Sequence, residues 1–65
     1  MKTIKELKEK NGLETKLWEK HDKKRLYCNF HGKTRGYIDL NSGEIVVITK
    51  TYTEELEIIA KETLK

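Results

Sequence analysis

Proline is absent from the 65 residues, and cysteine occurs once. A chain without proline fits short regular elements joined by tight turns. A single cysteine excludes an intrachain disulfide and fits a reducing compartment. It also leaves Cys28 and His31, spaced C-x-x-H with His21 nearby, short of a zinc site. A structural zinc ion wants four ligands. Strand alternation turns Cys28 inward and His31 toward a turn, so a small buried thiol and a turn histidine are expected, with no metal and no cofactor.

Long apolar runs are absent as well. Nothing approaches the ~20 residues of a membrane span. The stretch Met1-Lys2-Thr3-Ile4-Lys5-Glu6 lacks the apolar core of a signal peptide. The expectation is a soluble, cytoplasmic chain with no membrane partner. The glycines, Gly12, Gly32, Gly36 and Gly43, are scattered and form no phosphate-cradling loop. Gly36 falls inside a strand pattern, which marks a bulge or a close approach to a helix. His21, His31, Glu19, Asp39 and the arginines have no spacing that selects an acid–base pair. The chain is therefore expected not to be an enzyme.

Charge is plentiful. Charged residues make up 38% of the chain and hydrophobic ones 35%, a balance that can signal disorder. Ordered alternation and helix caps argue for folding instead. Residues 14–37 carry seven Lys or Arg against three Asp or Glu, a balance of +4. Residues 38–65 carry three against six, a balance of −3. This polarity favours a polyanionic partner for the basic portion. The plain alternative is a solvated surface that keeps a small protein soluble.

The pattern predicts a short helix over Thr3–Lys10. Thr3 and Glu6 have the spacing of a capping box, and Asn11-Gly12 ends the helix. Ile4 and Leu7 share the face that must dock. Four strands follow. The first covers Glu14–Lys20 and the second Arg25–Phe30, with Asp22-Lys23 as the candidate two-residue loop. That loop sets Trp18 opposite Tyr27, Leu17 opposite Cys28 and Lys20 opposite Arg25. The third strand covers Arg35–Leu40. A two-residue loop at Gly32-Lys33 would mix its faces, so an odd loop is expected. Tyr37 then lies opposite Tyr27 or Asn29. Asn41-Ser42-Gly43 forms a three-residue turn with Gly43 left-handed. The fourth strand covers Glu44–Thr49, and its run Ile45–Ile48 implies cover on both faces or a place beside a helix. A last helix runs over roughly Glu54–Leu64, capped by Thr51 or Thr53, with Leu56, Ile59, Ala60 and Thr63 on one face.

The predicted fold is a small single α+β domain over residues 1–65. It has a short N-terminal helix, a three- to four-stranded antiparallel meander and a C-terminal helix packed on one sheet face. Leu7, Leu17, Leu26, Phe30, Ile38, Leu40, Leu56 and Ile59 are the expected core. A meander of this kind followed by one helix is similar in outline to the sheet-type DNA-binding domains of some plant transcription factors and integrase arms. The likeness is architectural and carries no residue over.

Strand alternation sorts the middle of the chain into two faces. One carries Leu17, Leu26, Cys28, Phe30, Ile38 and Leu40. The other carries Lys16, Trp18, Lys20, Arg25, Tyr27, Asn29, Arg35 and Tyr37. The second face is basic and aromatic. Lys16, Trp18, Lys20, Arg25, Tyr27, Arg35 and Tyr37 are the candidate binding residues. Aromatic rings offer stacking surfaces to bases, and the cations neutralise phosphates. The expected role is a non-catalytic nucleic-acid-binding module. The alternative is a protein-interaction module, such as a small inhibitor or accessory subunit, using the same face. Open first or fourth strands leave the chain a monomer or a weak homodimer.

Overall fold

A computed structural model describes residues 3–64. In chain order it has helix α1 (Ile4–Lys10), strands β1 (Leu13–Lys20), β2 (Lys23–Phe30), β3 (Lys33–Asp39) and β4 (Ile45–Val47), a 3-10 turn (Lys50–Tyr52) and helix α2 (Thr53–Thr63). The strands form one antiparallel meander in the order β1-β2-β3-β4. The predicted α+β architecture is the observed one.

The local rules account for α1. The Thr3 hydroxyl accepts a hydrogen bond from the Glu6 N–H at 3.2 Å. Gly12 takes φ of +64° just past the last turn, where a β-carbon would be strained. The start of α2 differs from expectation. Neither Thr51 nor Thr53 caps it; Tyr52 occupies that position without a side-chain bond. The chain enters α2 through the 3-10 turn, and the Thr53 hydroxyl donates to the Lys50 carbonyl at 2.7 Å.

Register departs from the simplest reading in two places. The β1–β2 loop is His21-Asp22, not Asp22-Lys23, so Lys20 faces Lys23, Trp18 faces Arg25 and Leu17 faces Leu26. The slip is an even number of residues, which preserves both faces. His21 takes φ of +56°, a turn conformation that no hydrophobic pattern records. The β2–β3 loop is also a two-residue one, His31-Gly32, with both φ values positive as a type I′ turn demands. Parity is restored by a bulge rather than by an odd loop. Asn29 pairs with Thr34 and Cys28 with Gly36, leaving Arg35 as the extra residue on β3. Tyr27 then lies opposite Tyr37, one of the two expected pairings.

The turn after β3 is longer than the expected Asn41-Ser42-Gly43. The Asp39 N–H donates to the Glu44 carbonyl at 2.8 Å, so Leu40 joins the loop. Gly43 is left-handed, with φ of +80°. The Asp39 carboxylate accepts from the Asn41 and Ser42 N–H groups. These bonds, foremost that from Ser42, hold its pKa below the ordinary carboxylate value. The Asn41 side chain donates to the Asp22 carbonyl at 2.6 Å and ties this loop to the tip of the first hairpin.

Both helices pack on one sheet face. Leu7 from α1 and Leu56, Ile59 and Ala60 from α2 close over Leu13, Cys28, Phe30 and Ile38. Leu26 and Leu40 are half-buried at the margin of this cluster. Leu17 is the clear exception among the expected core residues, being 53% exposed. The buried apolar position on β1 is Leu13. The seven residues of α1 span ~10 Å, whereas the eight of β1 run ~26 Å. The hairpin therefore reaches past its cover. Thr63 is exposed, and Glu55 is buried in the first turn of α2. Ile48 lies beyond the shortened β4 and is exposed.

Candidate functional site

Among the described residues, the opposite sheet face has no helix over it. Its centre is a packed cluster of Trp18, Arg25, Tyr27 and Tyr37, contributed by β1, β2, β2 and β3. The Trp18 and Tyr27 rings meet edge to face at 6.5 Å, and Tyr27 and Tyr37 tilt together at 5.1 Å. The Arg25 guanidinium lies over Trp18 at 5.1 Å and over Tyr37 at 4.7 Å. Cation–π contacts of this kind contribute ~0.5–1 kcal/mol at exposed sites and more when desolvated. Arg25 also donates to the Tyr27 hydroxyl oxygen at 3.3 Å. That bond raises its pKa above the ordinary value, desolvation works against it, and Tyr37 and Asp39 add to the rise.

The sequence-predicted residues divide accordingly. Lys16, Trp18, Lys20, Arg25, Tyr27 and Tyr37 share this face by strand parity and pairing. Trp18 is half-buried by its neighbours on the sheet, on the face opposite α1. Arg35 does not share the face. The bulge turns it to the helix side, where its guanidinium lies over the Tyr52 ring at 5.1 Å and donates to the Thr49 hydroxyl at 3.4 Å. Tyr52 in turn stacks on the core residue Phe30 at 4.5 Å. Arg35 therefore joins sheet to helix.

Two residues of the face escape a reading by composition. Lys23 belongs to β2 and sits opposite Lys20, so the rim near the first turn is more basic than expected. A His21-Asp22 turn is the signal that would have placed it. Asp39 pairs with Arg25 across β2 and β3 and offsets part of that charge. The exposed cations are then Lys16, Lys20 and Lys23, arrayed beside the aromatic cluster. Asn29 and Thr34 close the other end through a 2.8 Å side-chain hydrogen bond.

The remaining candidates are dispersed. His21 and His31 occupy the turns at opposite ends of β2. Among the described residues, no three of His, Cys, Asp or Glu come together as a metal-binding group. No helix among them is long and apolar enough to cross a membrane. Cys28 is fully buried, and burial pushes its thiol up to about 11. The folded state therefore favours the neutral thiol, and this contribution to stability is lost as pH rises from the unfolded value toward 11. Thermal melts of wild type and Cys28→Ala across that window should converge as pH rises. An unchanged difference between the two would contradict the burial effect. Comparison of the chain with known protein families, characterised proteins and solved structures finds no match.

Proposed function

We propose that the uncovered sheet face binds nucleic acid without chemistry, and that the protein is a small binding module. The observation that carries this reading is the juxtaposition of Trp18, Tyr27 and Tyr37 with a rim of Lys16, Lys20 and Lys23 on the face away from α1 and α2. The aromatic cluster supplies stacking surface that tolerates any base. The lysines supply phosphate contacts and release of counterions. Arg25 has a different part. Held between Trp18 and Tyr37, it fixes the rings and adds positive potential beneath the ligand.

Titration with labelled single- and double-stranded oligonucleotides at low and moderate salt tests the reading. Alanine at Lys16, Lys20 or Lys23 should weaken binding and reduce the salt slope by about 0.7–0.9 for each phosphate no longer neutralised. Trp18→Ala should cost about 1–3 kcal/mol of binding with little change in slope. Arg35→Ala should leave binding intact, because Arg35 lies on the helix side. Each variant is first checked for a native melt. Absence of binding at low salt would sink the proposal. It would leave the Trp, Tyr and Arg cluster as an anchor for a protein partner, the residue types that dominate such interfaces.

A further inference from the structure

We infer that β1 is a self-complementary edge that pairs with β1 of a second copy of this chain, in a register centred on Leu17. This inference is independent of what the aromatic face binds. Among the described residues the sheet ends at β1, which has eight residues and no neighbouring strand on its outer side, whereas β4 at the other edge has three. In a hairpin with a two-residue loop, the flanking pair exchanges hydrogen bonds and the pairs beyond it alternate. Lys20 and Lys23 flank the loop. Leu13, Thr15, Leu17 and Glu19 therefore turn their N–H and C=O groups to the open edge. The Leu40 N–H bond to the Lys24 carbonyl agrees with this, because Lys24, the partner of Glu19, points its carbonyl away from β1. An unpaired edge of this length and composition is a template for another strand.

Residues directly opposite in an antiparallel pair share a sheet face, so a two-fold axis must pass midway between one residue and its own copy. Centring on Lys16 sets Lys16 against its own copy. Centring on Trp18 sets Lys16 against Lys20 of the second copy. Both place like charges face to face, which is destabilising. Centring on Thr15 avoids like charges but pairs only residues 13–17 of the strand; centring on Leu17 avoids them and pairs residues 14–20. Glu14 then faces Lys20 of the second copy, Lys16 faces its Trp18, and Thr15 faces its Glu19. Each polar or aromatic group meets a suitable partner, and each pair occurs twice. Glu14–Lys20 and Lys16–Trp18 fall at non-hydrogen-bonded positions, where opposed side chains are closer. Leu17, 53% exposed and beyond the reach of the helices, meets its own copy on the inner face. The dimer is a continuous eight-stranded sheet, since each copy contributes four. Both aromatic clusters then lie on one side of it.

Sedimentation equilibrium from micromolar to millimolar protein reads the association. Wild type should dimerise within that range. Leu17→Lys should be monomeric throughout with an unchanged melt, because Leu17 contributes little to the monomer core. Glu14→Lys or Lys20→Glu alone should weaken association roughly tenfold or more, since two cross-strand pairs per dimer turn repulsive. The double exchange E14K/K20E should restore it. Register is read by cross-linking under mild oxidant. Leu17→Cys should form an intermolecular disulfide, since opposed Cα atoms lie ~5.5 Å apart at such a position. Lys16→Cys and Trp18→Cys should not, and the buried Cys28 does not compete. A wild type that stays monomeric at millimolar concentration would overturn the inference. So would a Leu17→Lys dimer as tight as wild type, or cross-linking of Lys16→Cys in preference to Leu17→Cys.

Discussion

Phe30→Ala is expected to abolish or strongly lower the cooperative thermal transition. Phe30 is the largest of the fully buried side chains, and its ring stacks on Tyr52 with an interplanar angle of 23°. It sits at the end of β2 opposite Leu13, beneath the junction where the 3-10 turn leads into α2. Truncating a buried phenylalanine costs about 3–5 kcal/mol. Stabilities of ~0.05–0.15 kcal/mol per residue allow a chain of this length roughly 3–10 kcal/mol in all. The substitution therefore removes between a third and all of it. Circular dichroism melts would show the loss, and a sharp transition at the wild-type temperature would contradict the central place given to Phe30. Leu17→Ala supplies the contrast. On an exposed part of the same sheet face it should change stability by no more than about 0.5 kcal/mol.

Gly36→Ala should be comparably damaging for a different reason. A β-carbon at Gly36 would lie 2.5 Å from the Val46 carbonyl oxygen and 2.6 Å from Leu56 Cδ1. The first contact is with backbone of the neighbouring strand, and the second with a fully buried side chain. The carbonyl cannot yield without separating β3 from β4, whereas the Leu56 methyl is the end of a side chain that can turn only by repacking the core. Overpacking in cores costs about 1–3 kcal/mol when neighbours can shift, and here one neighbour is backbone. The expected result is an abolished or strongly lowered melt with reduced helical signal. Gly32→Ala is the comparison. It meets nothing within 4 Å but sits at φ of +80°, so it should cost about 1–2 kcal/mol from strain alone. A Gly36→Ala protein more stable than Gly32→Ala would show that the strand–helix approach is looser than the geometry implies.

The aromatic cluster was legible in part. Period-two alternation put Trp18, Tyr27 and Tyr37 on one face, and the even slip of β1 against β2 could not disturb that. The same alternation misplaced Arg35, because a single bulge residue breaks the parity of everything counted through it. It also could not show that Arg25 is clamped between rings or that Asp39 stands beside it. Those contacts depend on which residues the turns bring opposite one another.

What the sequence by itself determined is what local rules govern. Thr3 caps α1 because its hydroxyl reaches the Glu6 N–H, and Gly12 ends it because glycine takes a left-handed turn freely. The two faces of the sheet follow from alternation, and Phe30, Ile38, Leu56 and Ile59 are buried because they lie on the faces that meet. Tertiary structure decided the rest. His21 and His31, at positive φ, set the registers, since an even slip conserves every hydrophobic face and composition alone cannot choose between such slips. Leu17 is left exposed because cover is finite. A helix of seven residues is shorter than the strand of eight on which it packs, and only the packed fold determines which part of the strand stays bare.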